Sequence, residues 1–250
     1  MDKTQAETVR GGRTTNPWFP HLPRQRGRTM LFCLPPAGGG ASLFRNWGKR
    51  LGPDIEVWPA HLPGRETRIN DPFITDMAVM SRELAAAMRQ CTEKPYAIFG
   101  HSMGAIVGFA AMAHLPTPPV RFFPSGMWPP DRPSPDPWGH LNDAELTERL
   151  RKLDGFPKVV LDTPEMREML LPVVRADALL ADEWVTPAIK VNCPITAFGG
   201  QRDTLAPAAD VHRWAEWTVM DMEPVDVDGG HDFIATHEEQ ICATIRRHLG

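Results

Sequence analysis

The fold is decided by the stretch Tyr96-Ala-Ile-Phe-Gly-His-Ser-Met-Gly-Ala105. Its first four residues form an apolar run typical of a buried strand, and apolar residues recur at helical spacing after it. The segment Gly100-His-Ser-Met-Gly104 matches the G-x-S-x-G pattern, in which the serine lies on a strained turn between a strand and a helix. Flanking glycines let neighbouring backbone approach closely. We therefore predict that Ser102 is a nucleophile, with a residue that only caps a helix as the alternative.

The composition of the chain limits the classes of function that it can have. The 250 residues are 42% hydrophobic, which is enough for a full core, and α/β enzymes of this length are commonly one domain. A net charge of -4 provides no basic surface for nucleic acid. No apolar run is long enough to cross a membrane. The polar residues 1–15 lack the apolar segment of a secretory signal, so we expect a cytoplasmic protein.

The cysteines give no sign of a metal site. The four of them are scattered along the chain, and none forms a C-x-x-C pair. Cys33 and Cys193 lie in or beside apolar runs, so free buried thiols are expected in a cytoplasmic protein. Zinc binding is therefore not expected.

Strand-like and helix-like stretches alternate along the chain. Besides the strand that precedes Ser102, short apolar runs predict strands at 30–34, 55–60, 120–123, 194–200 and 218–227. Helical spacing predicts helices at 43–51, 77–91, after Ser102, and at 142–153, 164–184, 208–217 and 238–249. Pro172 is expected to interrupt or kink its helix, and Val211, Trp214 and Ala215 are expected to face inward. The alternation predicts an α/β fold with a mostly parallel sheet wrapped by helices.

A change of composition marks an insertion in this pattern. Residues 1–15 are expected to be disordered and 16–250 to form one domain. Nine prolines between Pro116 and Pro137 show where the chain leaves the core. We interpret residues 127–190 as a helical lid above the strand ends, where α/β sheets bind ligands. Its side chains that could line an apolar channel, with ordinary core packing as the alternative, are Met166, Met169, Leu170, Leu179 and Trp184.

The loop Pro35-Pro-Ala-Gly-Gly-Gly40 lies between a predicted strand and a helix. It lacks the Gly-Lys-Ser/Thr ending of a Walker loop, and a dinucleotide fingerprint would need a glycine where Leu43 stands. In serine hydrolases of the α/β type, such a loop supplies one oxyanion-hole N–H and the residue after the nucleophile supplies the other. Since prolines have no N–H, the predicted donors are the backbone N–H groups of Ala37 and Met103. A plain flexible turn is the alternative.

The loop after the second predicted strand is His61-Leu-Pro-Gly-Arg-Glu-Thr-Arg68. Its arginines, Arg65 and Arg68, could steer an anionic partner. Loop arginines are more often simply solvated, and that is the alternative expectation.

A serine nucleophile needs a histidine to accept its proton and an acid to orient that histidine. In α/β-hydrolases these partners follow in the order Ser, Asp or Glu, His, on loops at the carboxyl ends of strands. Of the nine histidines, His231 alone lies in a glycine-led loop after the last predicted strand, and His237 is the alternative. Asp203 follows the predicted strand 194–200 and is the predicted acid. An aspartate that only stabilises a turn is the alternative.

Five segments between Trp18 and the C-terminus form a specific pattern in their order and spacing. They are Leu31-Phe-Cys-Leu-Pro-Pro-Ala-Gly-Gly39, Leu62-Pro-Gly-Arg65, Phe99-Gly-His-Ser-Met-Gly104, Leu171-Pro-Val-Val-Arg-Ala-Asp177 and Gly229-Gly-His231. In them the chain resembles the type II (external) thioesterases that serve polyketide and nonribosomal peptide synthases, and the related medium-chain thioesterases of fatty acid synthesis.

The resemblance implies an α/β-hydrolase fold with Ser102, Asp203 and His231 as catalytic residues and Ala37 and Met103 as oxyanion donors. It also implies hydrolysis of acyl groups from the phosphopantetheine arm of carrier proteins, through an acyl-serine intermediate and without a cofactor. Acyl or peptidyl carrier protein domains are then the expected partners. A monomer is expected, with no nucleic acid or membrane partner.

Three positions depart from the family pattern. Pro36 stands where many members have histidine or an aromatic residue, and Thr204 stands where proline often follows the aspartate. Asp232 stands where an aromatic residue usually follows the histidine. No catalytic group is lost, but a carboxylate at Asp232 would repel anionic acyl chains.

Two other functions are compatible with the same residues. One is a carboxylesterase of small molecules, since the triad does not distinguish sulfur from oxygen leaving groups. The other is a non-catalytic binding module that keeps the hydrolase fold. The intact set Ser102, Asp203 and His231 argues against the second of these.

Overall fold

The computed structural model describes residues 16–21, 27–153, 156–186 and 189–250. The disorder predicted for residues 1–15 concerns a segment outside these ranges. Within them, no helix has both the length and the apolar composition needed to span a bilayer.

Six strands form one sheet with the order β2-β1-β3-β4-β5-β6. They are β1 (Thr29–Leu34), β2 (Ile55–Pro59), β3 (Tyr96–His101), β4 (Arg121–Ser125), β5 (Ile195–Gly200) and β6 (Met222–Val227). Every neighbouring pair is parallel. Because parallel strands end at the same edge, the loops after β1, β3, β5 and β6 lie side by side. That edge holds every residue predicted to be catalytic.

Helices connect the strands and cover both faces of the sheet. They are α1 (Trp47–Leu51), α2 (Met77–Cys91), α3 (Met103–Met112), α4 (Asp143–Lys152), α5 (Lys158–Asp162), α6 (Pro164–Asp182), α7 (Ala208–Val211), α8 (Phe233–Thr236) and α9 (Glu238–Leu249). Short 3₁₀ helices span Ala41–Phe44, Glu66–Arg68 and His212–Trp217. The mostly parallel α/β sheet expected from the sequence is confirmed.

The sheet is buried on both sides, as strand β1 illustrates. Met30, Phe32 and Leu34 pack into the apolar layer under α2 and α3. The alternate residues Leu31 and Cys33 pack into the opposite layer, under α1 and α9. Successive side chains of a strand point to opposite faces, so a continuous apolar run is what a strand between two helical layers requires.

The insertion between β4 and β5 contains α4, α5 and α6, which we call the helical insertion. These helices share a small apolar cluster of their own, which includes Leu146, Leu161 and Val174. Helix α6 runs unbroken through Pro172, so the interruption considered from the sequence does not occur. Proline removes one helical hydrogen bond, but Leu171 and Val173 on either side of it are buried, and packing of this kind supplies most of the stability of helices in proteins.

The segment after β5 differs from its prediction. Instead of one helix over 208–217, α7 ends at Val211 and a 3₁₀ helix follows. A 3₁₀ helix has three residues per turn, so Val211, Trp214 and Trp217 align on the buried side. Ala215, which helical spacing placed inward, is exposed.

Candidate active site

Ser102 lies on the turn between β3 and α3 in a strained conformation, with φ 54° and ψ -124°. The flanking glycines are required by close backbone approach. A Cβ at Gly100 would lie 2.2 Å from the carbonyl oxygen of Gly104, and one at Gly104 would lie 2.4 Å from the carbonyl oxygen of Leu34. Strain of this kind persists where the surroundings enforce it. Here it presents the serine hydroxyl at the carboxyl edge of the sheet.

A chain of hydrogen bonds links the three predicted catalytic side chains. The Nε2 atom of His231 lies 3.0 Å from the hydroxyl oxygen of Ser102. Its Nδ1 atom lies 2.8 Å from the Oδ2 atom of Asp203. A carboxylate only accepts, so Nδ1 carries the proton and Nε2 is free to accept that of the serine. The geometry is that of a serine nucleophile with an oriented general base.

Asp203 is fixed by its own backbone surroundings. It is buried, and its second oxygen, Oδ1, accepts the N–H groups of Leu205 and Ala206 at 2.9 Å each. Both carboxylate oxygens therefore have defined partners, and Oδ2 is directed at His231. The runner-up histidine, His237, instead bonds Thr236 through Nδ1 at 2.9 Å.

The oxyanion loop, residues Pro35–Gly40, lies beside the serine. Within the part of the chain that the structure describes, neither the Ala37 N–H nor the Met103 N–H donates to a protein acceptor. Both residues line the cavity that also holds Ser102. Two free donors next to a nucleophile are what an oxyanion hole requires.

This cavity has a volume of about 610 Å³ and is walled on one side by the helical insertion. The apolar side chains that the insertion and its connections contribute are Leu150, Leu153, Phe156, Val160, Leu170 and Val174. A largely apolar cavity beside a nucleophile suits the binding of a hydrocarbon-rich acyl group.

Of the five lid residues predicted to line a channel or bind substrate, the structure places only Leu170 on the cavity wall, and Leu179 packs instead beside Gly139. Met166 and Met169 are 48% and 67% exposed and face solvent. Trp184 is half-buried and packs against the main core. One helical position turns a side chain by about 100°, so Met169 points away where Leu170 points in. Two leucines of the helix predicted at 142–153, Leu150 and Leu153, line the cavity instead.

The geometry can now be compared with known proteins. The family model described as "Thioesterase domain" matches residues 29–249. The chain belongs to the thioesterase family. The gramicidin S biosynthesis protein GrsT of Aneurinibacillus migulanus is 33% identical over 226 residues, which cover 88% of this chain and 88% of GrsT. The family predicted from the five motifs is confirmed.

Two further relatives extend the comparison. LgrE of Brevibacillus parabrevis, which is named a linear gramicidin dehydrogenase, is 37% identical over 229 residues, 88% of this chain and 87% of LgrE. The solved structure of BorB, described as the type II thioesterase of the borrelidin biosynthetic cluster, superposes with a TM-score of 0.83 at 28% identity. It covers 96% of this chain and 100% of its own. The predicted α/β-hydrolase fold is confirmed.

His101, the residue before Ser102, is hydrogen-bonded to the loop that carries His231. Its Nε2–H donates to the carbonyl oxygen of His231 at 2.9 Å, so its Nδ1 accepts the hydroxyl of Ser125 at 2.8 Å. Burial lowers the pKa of His101 to about 3, with a smaller contribution from the nearby His231. The ring is therefore neutral at pH 7 and acts as a fixed hydrogen-bonding spacer.

This histidine predicts a loss of stability in acid. His101 has a pKa of about 3 in the folded protein and 6.5 in the unfolded chain, so the unfolded chain binds more protons between these values. Unfolding free energy is then lost as pH falls through this window, by about 4 to 5 kcal/mol at pH 3. His101→Gln cannot protonate and is expected to lose correspondingly less between pH 7 and pH 4. Urea unfolding over this range measures the difference.

The control for this prediction is the exposed His114, changed to glutamine. His114→Gln is expected to follow the wild-type pH dependence. Equal slopes for His101→Gln and the wild type would show that protonation of His101 does not limit stability in acid.

The loop arginines do not behave as solvated side chains. Arg65 is 7% exposed and forms an ion pair with the buried Asp177. Arg68 donates to Asp71 at 2.7 Å and lies over the ring of Trp18, 4.8 Å from its centroid. Both expectations from the sequence, steering of an anionic partner and simple solvation, are wrong for Arg65. Nothing in the sequence near Arg65 indicates its partner, because Asp177 lies 112 positions further along the chain.

The three departures from the family pattern differ in position. Pro36 and Asp232 line the cavity, whereas Thr204 is exposed. Burial raises the pKa of Asp232 to about 6, and the nearby His231 opposes this rise. A carboxylate thus lies next to His231, the predicted general base, in a largely apolar cavity.

The raised pKa predicts that Asp232 destabilises the folded protein at neutral pH. The folded state binds more protons than the unfolded chain between pH 3.8 and about 6, so unfolding free energy falls as pH rises through this window. Asp232→Asn is expected to raise the unfolding free energy by up to about 3 kcal/mol at pH 7.5. Near pH 4 the gain should vanish. Chemical unfolding at both pH values tests this, with exposed Asp221→Asn as the control.

Proposed function

We propose that this thioesterase hydrolyses acyl groups from the phosphopantetheine arm of carrier proteins in peptide or polyketide synthesis. The observation that carries the proposal is the hydrogen-bonded chain Ser102, His231, Asp203 at the mouth of an apolar cavity. The relatives support the substrate class, since GrsT is named for gramicidin S biosynthesis and BorB is described as a type II thioesterase.

The first step forms an acyl-serine. The hydroxyl proton of Ser102 passes to Nε2 of His231 while the serine oxygen attacks the thioester carbonyl carbon. The negative oxygen of the tetrahedral intermediate is bound by the N–H groups of Ala37 and Met103. Each such donor typically stabilises the transition state by about 2.7 to 4 kcal/mol. Collapse breaks the C–S bond, and the imidazolium gives its proton to the leaving sulfur, which frees the thiol of the arm.

The second step releases the acid. Water loses a proton to Nε2 of His231 and attacks the ester carbonyl, and the same two N–H groups bind the new oxyanion. The C–O bond to Ser102 breaks, and the serine oxygen recovers its proton from the histidine. The products are the free acid and the unchanged enzyme.

The dehydrogenase activity in the name of LgrE is not proposed for this chain. Hydride transfer by a nicotinamide enzyme needs a loop that leaves its N–H groups open to a pyrophosphate. Here Leu43 stands in place of the last fingerprint glycine. The N–H of Gly38 donates to Asp177, and those of Ala41 and Ser42 donate to Glu66. The loop is therefore occupied by the protein's own carboxylates.

The proposal is tested by intact-protein mass spectrometry of a panel of acylated carrier proteins, before and after addition of the enzyme. We expect loss of the acyl mass and recovery of the free thiol arm. The Ser102→Ala variant is the blank. The same acyl groups on an arm with oxygen in place of sulfur provide the matched substrate.

Two outcomes would contradict the proposal. Equal kcat/KM for thioester and oxoester arms, together with faster hydrolysis of small free esters, would indicate a carboxylesterase. No cleavage of any substrate and no labelling of Ser102 by a fluorophosphonate would indicate a binding module.

A further inference from the structure

Arg65 and Asp177 form a buried ion pair between the loop after β2 and helix α6. The guanidinium donates to both carboxylate oxygens, with Nη1 at 2.5 Å from Oδ2 and Nη2 at 2.6 Å from Oδ1. The two residues are 7% and 2% exposed. A bidentate pair of this kind fixes the relative orientation of its two segments as well as their distance.

Both members of the pair also hold the oxyanion loop. The N–H of Gly38 donates to Oδ2 of Asp177 at 2.8 Å. The carbonyl oxygen of Gly39 accepts from Nη1 of Arg65 at 3.1 Å. The Gly38 N–H belongs to the peptide group that directly follows Ala37, whose N–H is the oxyanion donor assigned above, and the Gly39 carbonyl lies two peptide groups further along.

Side chains of helix α6 also pack directly against Gly38. Gly38 has φ +75°, and a Cβ there would lie 2.6 Å from Cγ2 of Val174 and 3.2 Å from Cδ1 of Leu170. Leu170, Val174 and Asp177 follow one another at i, i+4 and i+7, so they lie on one face of α6. That face provides the cavity wall and the acceptor for the loop together.

The far end of the loop is held independently of α6. The carboxylate of Glu66 accepts the N–H groups of Ala41 and Ser42 at 2.8 and 3.0 Å. The segment between Ala37 and Gly39 is not reached by Glu66. Within this segment the N–H of Gly39 donates to the carbonyl oxygen of Pro36 at 2.9 Å, which closes a turn around Ala37. The contacts that orient this turn against the rest of the protein are those with the ion pair and with α6.

We propose that the Arg65–Asp177 pair is a positioning device for the oxyanion hole, with Asp177 placing the Ala37 N–H through the peptide group of Gly38. Stability alone does not explain such a pair, because buried ion pairs often contribute no more than apolar residues of similar volume. Neither side chain touches the reacting atoms. The inference rests on the proposed function, because it assigns the pair to the transition state of that reaction.

The test is Asp177→Asn, which keeps the shape and removes the charge. We expect kcat to fall at least tenfold and KM to change less than threefold, because the hole binds the oxyanion of the transition state and not the ground-state thioester. Loss of one oxyanion donor, about 10²- to 10³-fold, is the upper limit. Arg65→Lys keeps the positive charge without the bidentate geometry and is expected to give a smaller fall.

The control is an ion pair away from the site whose carboxylate is buried and whose lysine side chain is 35% exposed. Lys94 contacts Glu56 of β2 at 2.6 Å, and the Glu56 side chain is 7% exposed. Glu56→Gln should destabilise the protein to a similar degree and leave kcat within twofold. Equal falls in kcat for the Glu56 and Asp177 variants, or a rise in KM alone for Asp177→Asn, would overturn the proposal.

A reaction that needs no thioester separates this inference from the proposed function. Phosphonylation of Ser102 by a fluorophosphonate also places a negative oxygen in the hole, so Asp177→Asn is expected to slow it at least tenfold. A wild-type enzyme that reacts with the fluorophosphonate but leaves every acylated carrier protein intact would refute the substrate class only. Unchanged phosphonylation in Asp177→Asn would refute the positioning role.

Discussion

Replacing Ser102 with alanine is expected to lower the turnover of acyl thioesters by about 10⁶-fold, the loss seen when a serine hydrolase is deprived of its nucleophile. Among the residues that the structure describes, Ser102 provides the one hydroxyl hydrogen-bonded to Nε2 of His231, at 3.0 Å, so no neighbouring hydroxyl is in place to substitute for it. A small residual rate should remain, because the oxyanion donors and the cavity still bind the substrate. Single-turnover measurements with an acylated carrier protein quantify the loss.

The fold should survive this change. Alanine has the same Cβ as serine, so the strained φ of 54° costs about the same in both. The matched control is Ser134→Ala, since Ser134 also lines the cavity but lies outside the triad. It is expected to retain activity within threefold. More than one hundredth of the wild-type rate in Ser102→Ala would reveal another nucleophile and remove the assignment.

That Ser102, His231 and Asp203 lie together could be anticipated from the sequence, because each of them is placed by a local feature of the chain. The turn at Ser102 is specified by Gly100 and Gly104, where any Cβ atom would clash with backbone, and by the apolar runs on either side. Asp203 and His231 each follow a strand directly. A parallel sheet then brings these loops to one edge without further information. The strand register then sets the two loops level with each other, since Gly200 of β5 pairs with Val227 of β6 just before the loops begin.

The cavity wall was harder to predict because it depends on how the insertion packs. Helical periodicity identifies an apolar face, but it does not say whether that face meets the core, a cavity or solvent. Leu170 and Met169 are adjacent and equally apolar, yet one lines the cavity and the other is 67% exposed. The rotation of α6 that places Leu170 inward is fixed by Val174 and Asp177, which contact the oxyanion loop.

Long-range polar contacts were missed for a related reason. A charged residue in a loop gives no local sign of its partner, and exposure is the usual state of such residues. Arg65 is buried against Asp177, which lies on a helix far along the chain. It also donates to the carbonyl oxygens of Pro63 and Gly39. The sequence motifs that contain these two residues indicate a family by resemblance. The contact between the two side chains is seen only in the folded structure.

Asp203→Asn is expected to lower kcat by about 10⁴-fold, through the protonation of the histidine rather than through loss of a charge alone. In the wild type, Oδ1 of Asp203 accepts two backbone N–H groups and Oδ2 accepts the Nδ1–H of His231. An asparagine has one oxygen. If that oxygen keeps the two backbone bonds, its NH₂ group faces Nδ1, which must then accept. The proton moves to Nε2, and the imidazole can no longer take the proton of Ser102.

Two measurements test this argument together. The kcat of Asp203→Asn is compared with that of Asp228→Asn, an exposed aspartate near the same loop that should remain close to wild type. Proton NMR of the two enzymes should show the His231 ring proton on Nδ1 in the wild type and on Nε2 in Asp203→Asn. A variant that keeps activity within tenfold of wild type, or that keeps its proton on Nδ1, would mean that another group orients the histidine. Because the bonds to Leu205 and Ala206 decide which oxygen is retained, the predicted tautomer follows from the backbone of this loop and not from the triad alone.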